Sequence, residues 1–442
     1  MQKNNPTVSR AWCFYDWANS VYSLVITSTI FPIYFSAVAR NPDGTGVVDF
    51  LGFRLESSVL FTYAISAAFL IIAALSPFLT AIADYSGRKK LFMRLFCYLG
   101  AFSCAGLFFF TRETFTSSVV LFVLATIGYS GSIVFYNAYL PEIATEDQYD
   151  RLSARGFSMG YIGSVLLLIL NLAMIMKPQW FGIAAENTSL PPRIAFLSTS
   201  IWWFVFAQYS FYHLPGNVYA RKPKGSWILN GFKELKHVLE QVKGLPLLKR
   251  FLLAYFFYNM GVQTVMYLAA IFGEVELRLP SEVLILTVLI IQLVAVAGAY
   301  AFSRLSARVG NIRALVMAVL IWIGICIGAY FTYSEFQFYA LAAVVGSVMG
   351  GIQSLSRSTY SKLILATTVD HASFFSFYDV TEKVSIVLGT LAYGMIAYYT
   401  GSMRYSILAL ITFFVLGLLF LLLVRSKNAL EAQPKSIQTA HK

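Results

Sequence analysis

The chain has 442 residues, of which 58% are hydrophobic and 12% charged, and its formal net charge is +12. Soluble domains carry roughly a quarter charged residues, so this composition excludes an ordinary water-soluble enzyme or binding domain. The basic excess is scattered through short links between apolar runs instead of lining one face, which removes nucleic-acid binding as its explanation.

The apolar runs approach about 20 residues, the length a helix needs to cross a hydrocarbon layer. In chain order, breaks at charges, Pro and Gly predict twelve spanning helices at 12–38, 57–83, 91–111, 117–140, 155–176, 193–214, 249–273, 281–303, 312–331, 336–360, 374–399 and 404–424. Met1 to Arg10 is polar and no small-residue cleavage site follows, so no removable leader is expected. Cys13, Cys97, Cys104 and Cys326 lie inside apolar runs and read as buried thiols. His213, His237, His371 and His441 lack metal-ligand spacing, and no nucleotide-binding loop or nucleophile elbow is present. The expectation is a protein that is not an enzyme, holds no cofactor or metal, and draws on an ion or solute gradient.

Orientation follows from Lys and Arg in alternate links, because cytoplasmic links hold the excess. With the N-terminus inside, the inner segments hold 25 and the outer links 7, leaving Lys383 within a helix. Both termini are therefore expected in the cytoplasm. The long link splits the chain into an N-terminal six-helix bundle (1–214), a linker (215–248), a C-terminal six-helix bundle (249–427) and a flexible tail (428–442). Within the linker, Phe232, Leu235, Leu239 and Val242 recur at helical spacing with Lys233, Lys236 and Lys243 elsewhere. This pattern suits an amphipathic helix on an anionic leaflet, although a plain solvated linker has the same composition.

The halves repeat weakly. Phe14-Tyr15-Asp16-Trp17 in the first helix is echoed by Phe257-Tyr258-Asn259-Met260 in the seventh, and Gly87 between helices two and three by Gly310 between eight and nine. Parallel six-helix repeats are a known transporter plan, with the solute near the midplane between the halves.

The link Asp84-Tyr85-Ser86-Gly87-Arg88-Lys89-Lys90 resembles the G-x-L-A-D-x-x-G-R-K signature of the major facilitator superfamily, with Thr80 standing where the first Gly is usual. Three further stretches narrow the resemblance. They are Tyr15-Asp16-Trp17-Ala18-Asn19-Ser20, Gly350-Gly351-Ile352-Gln353-Ser354-Leu355-Ser356-Arg357-Ser358 and Phe374-Phe375-Ser376-Phe377-Tyr378-Asp379-Val380-Thr381-Glu382-Lys383. Together they resemble the branch that includes fungal vacuolar amino-acid effluxers linked to autophagy and their bacterial relatives. The compact loops resemble a bacterial member, which implies the inner membrane. The resemblance implies an all-α major facilitator fold, alternating access and a working monomer. It also implies a cavity walled by helices 1, 4, 7 and 10, and a lock between the halves at the Asp84 link.

An ionised side chain in lipid is costly, so intramembrane charges are functional candidates. Asp16, Asn19 and Tyr22 follow one another at helical spacing and read as one polar stripe, with the alternative that Asp16 pins a neighbouring helix. Helix 11 carries Asp379, Glu382 and Lys383, two acids for one base, which suits proton coupling through Asp16, Asp379, Glu382 and Lys383. A static salt-bridge network fits the same residues. Asp84, Arg88, Lys89, Glu142 and Arg155 are expected to form the gate, Asp84 pairing with a helix N-terminus or an Arg. The expected cavity presents Asn19, Tyr22, Tyr136, Asn137, Asn259, Gln263, Gln353 and Arg357, with Tyr129, Tyr258 and Ser354 beside them. Arg357 would take a carboxylate and Asp16 an ammonium group, which points to amino-acid or short-peptide export. Uptake of a sugar or cell-wall fragment suits such a wall nearly as well, and a lipid scramblase or membrane sensor stays open. Gly156, Gly160 and Gly163, with Ala295, Ala299 and Ser303, read as small faces that let the halves rock.

Overall fold

The computed structural model describes residues 3–41, 45–184, 186–216, 218–219, 227–365 and 367–424. The tail expected at 428–442 and the basic linker stretch 220–226 lie outside them. Twelve helices among the described residues are long and apolar enough to span a bilayer. The first span joins α1 (Pro6–Val21) to α2 (Ile30–Ala39) through π-helical turns at Tyr22–Thr29. The hairpin β1 (Val47–Phe50) and β2 (Phe53–Glu56) precedes α3 (Ser57–Ser86). Then come α4 (Lys89–Gly106), α5 (Phe115–Asn137), the single turn α6 (Leu140–Ile143), α7 (Tyr149–Met176) and α8 (Leu190–His213). A linker helix α9 (Trp227–Lys243) leads to α10 (Pro246–Val275), α11 (Ser281–Val309), α12 (Asn311–Tyr330), α13 (Glu335–Leu363), α14 (His371–Thr400) and α15 (Met403–Leu423).

Local chemistry sets the helix ends. Asn5 caps α1, its Oδ1 accepting from the Thr7 and Val8 amides, and Pro6 fills the first turn where no amide partner exists. Gly87 ends α3 in the left-handed region at φ 66°, so the chain turns back within two residues. Ser334 and Gln337 form a capping box that starts α13. The expected spans hold, and several run further at the face that carries the termini. The fifth begins at Tyr149 instead of 155, the eighth continues to Val309 instead of 303, and the eleventh begins at His371 instead of 374. Charged residues end an apolar run, but they do not end a helix whose last turns emerge among polar groups. The hairpin, which sequence reading left in a loop, turns at Leu51-Gly52 with both φ positive.

The helices form two six-helix bundles. In the first, α1 packs on α7 and α8, and α4 on α5 and α8; in the second, α10 packs on α14 and α15, and α11 on α13. Between bundles, α3 packs on α14 and α7 on α11 and α13. Those are the second span with the eleventh and the fifth with the eighth and tenth, and the second–eleventh and fifth–eighth pairings exchange under a six-helix repeat.

Several of the small residues pack within one bundle. Gly160 faces Ser20 and Gly163 faces Trp17, both on α1, while Gly350 meets the Ala295 carbonyl and Gly298 the Ser347 backbone. Each of these four contacts lies within one bundle and tightens it internally, whereas Gly156, on the helix of Gly160 and Gly163, faces Arg357 of the other bundle. A Cβ at Gly350 or Gly298 would press on backbone, which cannot rotate away. Gly350→Leu is therefore expected to lower stability by about 1–3 kcal/mol, the usual cost of overpacking. Thermal melting in detergent checks this, with Gly324→Ala, at a site with nothing within 4 Å, as the near-neutral control.

Candidate functional site

The α13 stretch from Gly350 to Ser361 is the most completely buried polar run of the second bundle, and it holds Arg357 at 3% exposure. Arg357 crosses the gap between bundles into a pocket made by α1, α5 and α7. Its Nε donates to Ser153 Oγ at 2.9 Å and its Nη2 to the Ser153 carbonyl at 2.9 Å. Nη1 lies 3.3 Å from Asn137 Oδ1 and 3.5 Å from Asp16 Oδ2, and Tyr136 donates to that same Asp16 oxygen at 2.7 Å. Three rings face the guanidinium, with centroids at 4.2 Å for Phe157, 4.7 Å for Trp12 and 5.4 Å for Tyr136. Charge, hydrogen bonds and ring quadrupoles together replace the water it has lost. Gly156 makes room for the pair, since a Cβ there would collide with Asp16 Oδ2.

Two more contacts join the bundles nearer the termini. Asp150, at the start of α7, pairs with Lys362 of α13 at 2.8 Å and accepts from Ser306 at 2.9 Å and Asn311 at 2.8 Å. Asp84, at the end of α3, caps α14, accepting from the Ser373 amide at 2.7 Å, the Ser373 hydroxyl at 2.8 Å and the Ala372 amide at 3.3 Å. A carboxylate there meets unpaired amides and the positive end of the helix dipole together. Beside it Lys89 and Glu142 form a buried ion pair within the first bundle, Lys89 lying 4.5 Å above the Tyr139 ring. Deeper in the molecule, Tyr161 donates to Gln353 at 2.6 Å. Among the described residues, hydrogen bonds between the bundles stop at that level, so polar bonding closes only the face that carries the termini.

The third group lies on α14 at its seam with α3. Lys383 Nζ is 3.3 Å from Asp379 Oδ1 and 3.1 Å from Glu382 Oε2, and 5.5 Å from the Phe69 ring of the first bundle. Asp379 is 2% exposed, and neither of its oxygens receives an aligned hydrogen bond. The ion pair alone offsets its loss of water.

The structure thus brings together Asp16, Tyr136, Asn137 and Arg357, sets Asp84 on a helix N-terminus, pairs Lys89 with Glu142, and gathers Asp379, Glu382 and Lys383. The remaining expected residues are placed as follows. Asp16 and Arg357 answer each other, so neither stands open for a solute in this conformation. Tyr22 shares a 2.8 Å hydrogen bond with Thr126 and packs against Tyr129 and Trp203, so it is a core group of the first bundle. Asn259 donates to Ser385 at 2.7 Å inside the second bundle. Arg155 is exposed, and Ser153, two residues before it, accepts from Arg357. Arg88 lies at the junction of α3 and α4, Asn19 and Gln263 are buried, and the half-buried Gln353 accepts from Tyr161. Sequence reading missed Asp150, Ser153, Asn311 and Lys362. A polar cluster at a helix start, placed opposite another, is the faint signal that could have found them.

Removing one partner of a buried pair leaves the other uncompensated. Arg357→Gln or Asp16→Asn alone is expected to cost about 3–5 kcal/mol of stability. The double variant should recover part of that, giving a coupling of about 0.5–3 kcal/mol in a melting-temperature cycle.

The family described as "Vacuole effluxer Atg22 like" matches residues 4–433. An uncharacterized MFS-type transporter of Bacillus subtilis, YxiO, is 32% identical over 97% of each chain. Autophagy-related protein 22 of Pyricularia oryzae is 21% identical over 89% of this chain and 72% of its own length. Among solved structures, the proton:xylose symporter XylE superposes with a TM-score of 0.72 at 14% identity, covering 96% of this chain and 98% of that one, a likeness of fold. The chain belongs to the Atg22-like vacuole effluxer family, and it is a multi-pass membrane transporter of the major facilitator type.

Proposed function

We propose that the protein exports a small zwitterionic solute, an amino acid or short peptide, by alternating access coupled to protons. The observation that carries this reading is the buried Asp16–Arg357 pair, whose members belong to opposite bundles. Opening the face that carries the termini requires the pair to part, and each ion then stands in a low-dielectric cavity without its partner. An uncompensated buried charge costs several kcal/mol. A solute with one carboxylate and one ammonium group replaces both partners at once, so it stabilises the opened state more than the closed one, the condition for driving a conformational change. A neutral sugar compensates neither. The family's description, a vacuole effluxer, supports export.

The count of 25 basic residues on one side against 7 on the other supports placing the termini in the cytoplasm, of a bacterial inner membrane in this reading. The closed face is then cytoplasmic and the solute leaves on the opposite side. Asp379, Glu382 and Lys383 are the coupling group, with one acid more than base. Protonation of the surplus carboxyl removes a charge at the α3–α14 seam, where the bundles must separate. The protein works as a monomer in this scheme, since every element of the lock lies in one chain.

Detergent-purified protein, melted against amino acids, dipeptides, sugars and organic acids, tests the reading. A true ligand at a hundredfold excess over its Kd raises stability by about 2.7 kcal/mol. Stabilisation by amino acids or dipeptides that disappears in Asp16→Asn and Arg357→Gln is the expected result, and stabilisation by sugars alone overturns it. In proteoliposomes, Glu382→Gln and Asp379→Asn are expected to abolish stimulation of counterflow by an imposed pH gradient. A gradient response unchanged in both variants would remove these residues from coupling.

A further inference from the structure

The linker helix α9 is amphipathic in a way that the lock between the bundles does not use. It docks on the end of α3 through Gly231, which packs on Ile82, through the fully buried Val238, and through Asn230, which donates to the Tyr85 hydroxyl at 2.9 Å. At about 100° per residue, Gly231, Val238 and Val242 fall on one arc of the helix. The next arc holds Phe232 and Leu239, which remain 54% and 40% exposed. Lys236 and Lys243 flank that arc on its far side, Lys233 lies beyond them, and all three are exposed.

Two observations identify what covers the Phe232 and Leu239 arc. Phe232 meets the ring of Phe78 at 5.1 Å, and Phe78 continues upward into Leu75, Ile71 and Leu70, the exposed apolar face that α3 turns toward lipid. The arc is therefore the lower end of the hydrocarbon-facing surface. The adjacent lysines then stand at headgroup level, where long basic side chains extend toward phosphate. Their charge fits an anionic headgroup and leaves a zwitterionic one largely unused. Glu240 lies among them and limits, without cancelling, this positive arc.

We propose that α9 is a binding site for anionic phospholipid, which Phe232 and Leu239 anchor at the acyl boundary and Lys233, Lys236 and Lys243 hold by the headgroup phosphate. The bound lipid steadies the end of α3 that carries Asp84 and Tyr85. Lipid charge thereby acts on the helix end that caps α14 across the bundle interface, at a place separate from the Asp16–Arg357 pair.

The test uses the full-length protein in nanodiscs of phosphatidylcholine, alone or with phosphatidylglycerol, and reads amide hydrogen exchange of α9. Exchange about tenfold slower or more is expected with the anionic lipid, since each basic residue at such a surface contributes about 1 kcal/mol. Lys233→Gln/Lys236→Gln/Lys243→Gln should erase the difference between lipids while melting like the wild type in phosphatidylcholine. Phe232→Ser/Leu239→Ser should speed exchange in both lipids. Equal α9 exchange of the wild type in the two discs overturns the proposal, as does a phosphatidylglycerol effect that survives the lysine variant. Protection restored in phosphatidylcholine discs by soluble glycerol phosphate overturns the assignment to a lipid.

Discussion

A guanidinium placed between two helix bundles inside a bilayer has to be satisfied by protein, and Arg357 is satisfied almost wholly by the other bundle. Ser153, Asn137 and Asp16 supply its oxygens, and Trp12, Tyr136 and Phe157 its rings. The closeness of α7 to α13 and the small residue at Gly156 follow from that requirement. So does the buried hydroxyl of Tyr136, which holds Asp16 in position. In the proposed cycle, the same group that makes the closed face specific makes it reversible. An apolar interface of equal area would be as stable and would offer no chemical means by which a solute could release it.

The bonds between the bundles are unevenly distributed along the membrane normal. From Asp84, Asp150 and Arg357 up to Tyr161 and Gln353 the halves share charges and hydrogen bonds. Toward the opposite face each half is fastened to itself, as where Arg404 joins Glu276 and the Tyr330 carbonyl within the second bundle. Rigid halves with one polar hinge face are the physical requirement for alternating access, because strain at the lock then moves whole bundles instead of deforming them. Close glycine contacts such as Gly350 on Ala295 supply that rigidity.

Much of this was legible in the chain. Twelve apolar runs gave the spans, and the Asp84 to Lys90 link together with the stretches around Asp16, Gln353 and Asp379 gave the family. Asp16, Arg357 and the charges of the eleventh helix stand out because lipid tolerates few of them. What stayed hidden was partnership. Helical spacing shows that Asp379 and Lys383 share a face, but nothing local shows that Arg357 reaches Ser153, which lies 204 positions earlier. Tyr22 shows a related limit of local pattern: a polar stripe can face a cavity or a neighbouring helix, and here its hydroxyl bonds Thr126 of a neighbouring helix. Asp150 went unnoticed because it sits where an apolar run fades, a position that usually belongs to a link.

The placement of charges on the two bundles also determines what the membrane voltage can act upon. Asp16 and Arg357 carry opposite signs on opposite halves, so as a pair they add no net charge to the moving parts. Asp379, Glu382 and Lys383 all ride on α14, and fully ionised they sum to one negative charge moving with a single helix. A unit charge crossing the whole field exchanges about 2.3 kcal/mol per 100 mV with it. In the proposed coupling, loading one proton onto that trio brings its sum to zero, so its passage with the proton is electrically silent and the trio's own charge meets the membrane potential on the unprotonated stroke alone.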